Sequence, residues 1–205
     1  MEPTDRNRRA WDEMHRARDA TAGLPPEVLA RMPALGDKHV LQLGGDAAAA
    51  QALHELGALV TVVTSEPDTV ENVRDLESGA AAVQADVTDL PLELRRGRFD
   101  LVYAVDVLPE VRDLSSFAGS AAAAARSAGL LVLQDAHPVA GCLDDTGLAW
   151  RGDYFEGRFQ LGQIVDALTA AGFWLRSLDE FSSLHRWRMG NRRVPGDLLI
   201  TALKE

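Results

Sequence analysis

Two adjacent glycines, Gly44 and Gly45, and the acid Asp46 interrupt an apolar run and lead into an alanine-rich segment. A second apolar run begins shortly after Gly57. A strand, a glycine turn, a helix and a second strand in this order begin many nucleotide-binding sites, because glycine lets the backbone approach a ligand closely. The spacing therefore predicts a small-molecule site at the first turn. Because the longer pattern GxGxxG is absent, a dinucleotide-dependent oxidoreductase is disfavoured.

The second predicted strand ends in Thr64, Ser65 and Glu66, at the place where a ribose-binding acid is expected. Thr64 stands in the position of the acid, and Glu66 follows two residues later. A neutral hydroxyl makes a weaker hydrogen bond to a ribose than a carboxylate does, by about 1 kcal/mol or more. The sequence therefore predicts weakened rather than abolished nucleoside binding, with Glu66 as a substitute if the loop bends inward.

Four side chains are candidates for catalysis. His137 follows the fifth predicted strand and has an unperturbed pKa that suits proton transfer near neutral pH, and Asp135 could orient it from a turn. The alternative for His137, of equal weight, is a structural histidine before a proline. Glu110 and Tyr154 are further candidates, although an acid also favours a helix start and a tyrosine ring also packs.

Composition narrows the class of protein. The chain has 205 residues and a net charge of -10, which fits one α/β domain and disfavours nucleic acid as a partner. Cys142 is the only cysteine, so an intramolecular disulfide is excluded. No spacing typical of metal ligands occurs, and no apolar stretch is long enough to cross a membrane. We therefore expect a metal-free, soluble protein of the cytoplasm.

Apolar runs alternate with helical patterns, which predicts an α/β fold with a parallel sheet covered by helices on both faces. Strands are predicted at residues 40–43, 59–63, 81–84, 99–104, 130–134, 173–178 and 197–203. Helices are predicted at residues 47–56, 68–76, 115–127 and 160–171. Residues 1–36 are expected to form a helical lid, with helices near 5–19 and 27–32, before a domain over 37–205. The irregular segment 138–159 is expected to set substrate specificity.

The order of these motifs resembles the class I S-adenosylmethionine-dependent methyltransferases, in particular small bacterial ones of the ubiquinone and natural-product type. The segments that carry the resemblance are residues 7–13, 34–43, 98–103, 106–110, 135–139, 153–155 and 161–172. The resemblance implies a Rossmann-like doubly wound sheet of seven strands in the order 3-2-1-4-5-7-6, with the last strand antiparallel. It also implies S-adenosyl-L-methionine as cofactor and S-adenosyl-L-homocysteine as product.

The resemblance further implies where each part of the cofactor would bind. Gly44, Gly45 and Asp46 would line its methionine part. Asp86 would accept a hydrogen bond from the adenine amine, and Val87 would pack on the ring. Ala104 and Val105 would close the pocket from below, and Thr64, Ser65 and Glu66 would lie at the ribose.

Two functions remain open. One is methyl transfer to oxygen, nitrogen or carbon of a small metabolite in bacterial secondary metabolism, by a chain that could form a homodimer. The other is a protein of methyltransferase fold that no longer methylates, either a cyclase or isomerase or a binding or scaffolding subunit. The second rests on Ala47, near the final glycine position of the family's loop, and on Thr64.

Overall fold

The computed structural model describes residues 23–76, 78–144, 149–184 and 194–205. The helix predicted near residues 5–19 lies outside them, so the division into a lid and a domain stays a prediction. The described part of residues 1–36 contains one short helix, α1 (Pro26–Leu29). Proline suits its first position, because that backbone N–H has no partner within a helix. Val28 of this helix is buried against the core.

Seven strands form one sheet in the order β3-β2-β1-β4-β5-β7-β6. They are β1 (His39–Gly44), β2 (Leu59–Thr64), β3 (Ala81–Gln84), β4 (Phe99–Val105), β5 (Ala125–Ala136), β6 (Phe173–Phe181) and β7 (Asp197–Lys204). The first five strands pair in parallel, whereas β7 is antiparallel to both β5 and β6. The predicted Rossmann-like sheet and its antiparallel last strand are confirmed.

Helices cover both faces of the sheet. After α1 they are α2 (Ala47–Glu55), α3 (Pro67–Arg74), α4 (Leu114–Ala124) and α5 (Leu161–Ala170), with a 3₁₀ helix at Pro138–Cys142. Alternate strand residues enter different core layers, as side chains of a β-strand must: Leu41 packs in the layer of α4, and Val40 packs in the layer of α2. None of the described helices is long and apolar enough to cross a membrane.

The boundary between α4 and β5 differs from the sequence prediction. A helix was expected over residues 115–127, but Ala125 is already extended and pairs with Phe99 of β4. The strand expected at residues 130–134 therefore begins at Ala125 and includes Ala128, whose φ is +56°. Alanine has the highest intrinsic helix propensity, but propensity is a weak local preference, and pairing with β4 overrides it here.

Candidate functional site

The carboxyl ends of β1, β2 and β4 surround a cavity of about 290 Å³, here called the first cavity. The strand order reverses between β1 and β4, and a crevice opens at such a reversal in a doubly wound sheet. Most of the residues predicted to act on a ligand line it. They are Gly44, Gly45, Asp46, Thr64, Glu66, Val87, Val105 and Glu110.

Both glycines of the first turn adopt left-handed backbone, with φ of +69° at Gly44 and +72° at Gly45. A Cβ at Gly44 would stand 2.6 Å from the carbonyl oxygen of Val105 and from a methyl of Val107. A Cβ at Gly45 would collide with the Val105 side chain. Only glycine fits this conformation and space. The loop after β1 therefore packs directly on the loop after β4 and brings bare backbone to the cavity.

Two polar side chains hold this glycine loop. Gln42 is fully buried in β1, and its Nε2 donates 3.0 Å hydrogen bonds to the carbonyl oxygens of Gly44 and Asp46. Asp46 caps α2, because its carboxylate accepts from the backbone N–H of Ala49 at 2.9 Å. Sequence reasoning missed Gln42, although a polar residue within an apolar strand was the available signal.

The loop after β2 brings Glu66 to the first cavity. Thr64 is buried, and its hydroxyl oxygen accepts a 3.2 Å hydrogen bond from the backbone N–H of Glu66. Ser65 is not among the lining residues; its hydroxyl donates to Glu110 Oε2 at 3.0 Å and links the loops after β2 and β4. Glu66 lines the first cavity, as its predicted role as a substitute acid requires. The hydroxyl oxygen of Thr64, in contrast, already accepts a hydrogen bond from the protein's own backbone.

The first cavity is acidic. Asp46, Glu66, Asp106 and Glu110 line it, and its described lining includes no lysine, arginine or histidine. Four carboxyl groups around one small cavity create a negative potential that attracts cations and repels phosphates. The cavity therefore suits a positively charged ligand and not a dinucleotide.

The residues predicted at the adenine separate into three environments. Val87 lines the first cavity, with the exposed Asp86 beside it. Asp86 accepts hydrogen bonds from the side chain and backbone of Thr88, and these bonds lower its pKa and keep it charged. Val105 lines the cavity, whereas Ala104 is fully buried in the core and is not among its lining residues. The expectation that Ala104 faces the pocket is wrong, because alternate residues of β4 point to opposite faces.

A tyrosine and a glutamine at the base of the cavity were not predicted. The Tyr103 hydroxyl donates a 2.6 Å hydrogen bond to Gln134 Oε1, and both residues line the first cavity. Burial raises the pKa of Tyr103 far above its usual value, so it stays a neutral donor. The pair joins β4 to β5 across the sheet.

A second cavity of about 510 Å³ lies beyond the end of β5. The segment 138–159 supplies much of its wall, including Pro138, Cys142 and Phe159, and Ile164 of α5 also lines it. Asp135 and His137 line this cavity rather than the first one. The segment expected to set specificity therefore borders a separate space beside the acidic cavity.

The structure gives His137 a different carboxylate partner from the predicted one. Its Nδ1 accepts a 3.1 Å hydrogen bond from the backbone N–H of Val139, and its Nε2 lies 2.8 Å from Glu180 Oε1. Asp135 instead accepts from the backbone N–H of Leu108 at 2.7 Å. The prediction that Asp135 orients His137 is therefore wrong. Burial lowers the pKa of His137 while Glu180, at ion-pair distance from Nε2, opposes that shift.

Tyr154 serves the start of α5. Its hydroxyl oxygen accepts a 2.9 Å hydrogen bond from the backbone N–H of Leu161, and its ring meets Phe155 edge to face at 5.5 Å. It lines neither cavity. These contacts favour the packing alternative for Tyr154 over a catalytic role.

Comparisons with known proteins agree with this geometry. Residues 41–133 match a family model described as a methyltransferase domain. That segment runs from β1 into β5 and contains the residues of the glycine loop. No curated protein matches the sequence.

Solved structures share the fold over most of the chain. An S-adenosylmethionine-dependent methyltransferase from Mesorhizobium loti has a TM-score of 0.73 at 22% identity, covering 87% of this chain and 96% of that one. A putative enzyme of the same description from Listeria monocytogenes has a TM-score of 0.73 at 20% identity, with the same coverage. The [4+2]-cyclase SpnF has a TM-score of 0.65 at 18% identity, covering 87% and 79%. Residues 41–133 therefore match a methyltransferase domain, and the chain has the expected fold, which it shares with S-adenosylmethionine-dependent methyltransferases.

Proposed function

We propose that the first cavity binds S-adenosyl-L-methionine and that the protein transfers its methyl group to a small molecule. The acidity of the cavity carries this proposal. The cofactor has a sulfonium and an ammonium group against one carboxylate, so its net charge is positive, and four lining carboxyl groups attract it. A dinucleotide or nucleoside triphosphate carries phosphates, which the same groups repel.

The residues present fit the parts of this cofactor. The left-handed glycines Gly44 and Gly45 line the first cavity with backbone, which would meet the methionine part. Glu66 lines the cavity beside Thr64 and offers the carboxylate that the ribose hydroxyls need. Val87 would offer an apolar surface to the adenine, and the charged Asp86 beside it would accept from the adenine amine.

Methyl transfer is an in-line displacement at carbon, for which positioning supplies much of the acceleration. The bound cofactor would supply an electrophilic methyl group. The chain's own part is to hold it and to place the acceptor opposite the leaving sulfur. The second cavity borders the first along β5 and has room for a small metabolite, so we assign the acceptor there and selectivity to the segment 138–159.

The cellular setting is part of the same proposal. The acceptor would be a small metabolite, because a cavity of about 510 Å³ accommodates one such molecule. Its place in bacterial biosynthesis stays a prediction from the resemblance described above. Cys142 is a free, buried thiol, which suits the reducing cytoplasm. Homodimer formation stays a prediction.

One observation favours a second candidate, a protein of this fold that binds without methylating. The Thr64 oxygen accepts from the Glu66 N–H, so it offers a ribose less than a free carboxylate would. The similarity to a [4+2]-cyclase is compatible with this candidate at the level of fold. Cofactor binding without turnover of any acceptor would favour it.

Glu66→Gln tests the assignment, with Glu71→Gln as the matched control. Both changes remove one negative charge, but Glu71 lies within α3, away from the lining of the first cavity. Loss of a charge-assisted hydrogen bond costs about 1.5–3 kcal/mol, so calorimetry should show S-adenosyl-L-methionine binding roughly ten-fold weaker or more in Glu66→Gln alone. Equal affinities in the two variants would contradict the ribose assignment.

A further inference from the structure

A buried carboxyl group, that of Asp135, lines the second cavity. Asp135 is only 1% exposed and lies at the end of β5. Its Oδ2 accepts from the Leu108 N–H at 2.7 Å and its Oδ1 from the Ala136 N–H at 2.8 Å. Burial, with the nearby carboxylate of Asp106, raises its pKa to about 7, so these donors and the Val107 N–H do not offset the loss of solvation. Buried carboxyl groups of this kind concentrate at functional sites.

Asp135 lines the second cavity where it adjoins the first, at the end of β5. Gln134 lines the first cavity and Asp135 lines the second. In the loop after β4, Val107 likewise lines the first cavity and Leu108 the second. Consecutive Cα atoms are about 3.8 Å apart. The two cavities are therefore lined by directly neighbouring residues of the same two segments, residues 134–135 and 107–108.

Asp135 has acceptor capacity that His137 lacks. The imidazole accepts from Val139 through Nδ1 and directs Nε2 at Glu180, so neither nitrogen is available to a molecule in the cavity. A carboxylate has about four acceptor positions, and the backbone N–H groups of Leu108, Ala136 and Val107 use three of them, which leaves one for a ligand. Of the two predicted catalytic groups in this cavity, the carboxylate is the one able to take a proton.

The other residues that line the second cavity indicate what kind of molecule would fit it. Leu108, Phe159 and Ile164 give the cavity an apolar wall. The charged lining side chains Asp153 and Arg158 are exposed, so polar groups of a ligand other than its reacting one are best placed toward solvent. A compact apolar body with one buried polar group matches this distribution.

We propose that Asp135 is the general base of the methyl transfer, and that the acceptor is a small, largely apolar molecule with a weakly acidic hydroxyl group of the phenol or enol type. This rests on the proposed function, because it requires S-adenosyl-L-methionine in the first cavity. The hydroxyl proton passes to an oxygen of Asp135, and the hydroxyl oxygen forms a bond to the methyl carbon. The carbon–sulfur bond breaks, its electron pair stays on sulfur, and the sulfonium becomes a neutral thioether. Asp135 then returns the proton to water.

The first test measures binding without turnover, with 2-naphthol and 2-methylnaphthalene as probes of nearly equal shape. In the wild type, 2-naphthol should bind about ten-fold more tightly or better, because its hydroxyl donates to a charged acceptor. Asp135→Asn should remove most of that preference and leave S-adenosyl-L-methionine affinity within about three-fold. Equal binding of the two probes to the wild type would overturn the base assignment.

The second test measures formation of S-adenosyl-L-homocysteine from 2-naphthol across pH. The wild-type rate should fall as pH drops below about 7, where Asp135 becomes protonated. Asp135→Asn should lower kcat by about 10²-fold or more, whereas His137→Gln should keep the pH limb at the same position. Cofactor binding without turnover of 2-naphthol, or an unchanged rate in Asp135→Asn, would overturn the proposal. Failure of the wild type to bind the cofactor would instead overturn the proposed function.

A cavity-filling variant keeps the test independent of changes at Asp135. Gly141 lines the second cavity and has open space at its Cβ position, and Gly162 has open space on α5 outside it. Gly141→Leu should abolish binding and turnover of 2-naphthol while cofactor affinity stays unchanged. Gly162→Leu should retain both. Full turnover in Gly141→Leu would show that the acceptor binds elsewhere.

Discussion

Asp135 should make the folded protein less stable as pH rises, whereas most carboxyl groups make it more stable. Replacing Asp135 by asparagine should remove this dependence of stability on pH. Burial raises the folded-state pKa of Asp135 from 3.8 to about 7. Its neutral form is thus favoured in the folded protein. The stability contribution is present in full below pH 3.8 and is lost as pH rises through about 7.

The magnitude follows from the size of the shift. A shift of about three pKa units corresponds to about 4 kcal/mol of unfolding free energy at about 1.4 kcal/mol per unit. Roughly 2.5 kcal/mol of this falls between pH 5 and pH 8. Asp135→Asn removes the titration and keeps a carbonyl oxygen that can accept from Leu108. Relative to the wild type, the variant should therefore gain about 2.5 kcal/mol of stability between pH 5 and pH 8.

Urea denaturation of both proteins at pH 5 and pH 8 measures this difference directly. Asp113→Asn is the control, because Asp113 is exposed and its pKa is lowered by hydrogen bonds from Ser116 and Ser115. Its contribution is present above its unfolded pKa and is lost only in acid, so its difference from the wild type should not change over this range. A constant difference for Asp135→Asn would refute the claim that Asp135 is buried at a free-energy cost.

Three further changes test the loops around the first cavity. Gly44→Ala should destabilise the fold by about 1–3 kcal/mol and weaken cofactor binding, because φ is +69° and the new Cβ would meet Val105. Thermal melting would measure the loss of stability, and calorimetry would measure the loss of affinity. An unchanged melting temperature would contradict the prediction. Gln42→Leu should lower the free energy of unfolding by about 1–3 kcal/mol, since it removes both hydrogen bonds that Gln42 donates to the glycine loop. Urea titration would measure this loss, and an unchanged stability would mean that the loop does not depend on Gln42. Ser65→Ala should change stability by less than about 1 kcal/mol, because the hydrogen bond to Glu110 is exposed; a larger loss would assign that link a structural role.

Much of the fold could be predicted because local and long-range preferences agree. The apolar runs that became β1 and β2 are bounded by turn residues, and their strands lie where the pattern indicated. The prediction failed at residues 125–127, where an alanine-rich helix pattern continues into a strand. Pairing of Ala125 with Phe99 decides that boundary, and such a contact between distant parts of the chain leaves no local signal.

The first cavity was easier to predict than the second. Residues that follow consecutive parallel strands meet at one edge of the sheet, so Gly44, Thr64 and Val87 could be placed together from topology alone. Side-chain partners could not be placed in this way. Glu180 reaches His137 from β6, which is distant in sequence, and Asp135 turns to the backbone of Leu108. Spacing along the chain suggested a hydrogen-bonded pair, but the fold gives each of the two residues a different partner.

Calorimetric titration with S-adenosyl-L-methionine and, in parallel, with NAD⁺ tests the central claim most directly. The acidic lining of the first cavity predicts saturable binding of S-adenosyl-L-methionine that weakens as salt is added, because salt screens the attraction between the carboxyl groups and the cationic cofactor. It predicts no measurable binding of NAD⁺ under the same conditions. Absence of S-adenosyl-L-methionine binding at millimolar concentration, or tighter binding of NAD⁺, would contradict the assignment of this cavity.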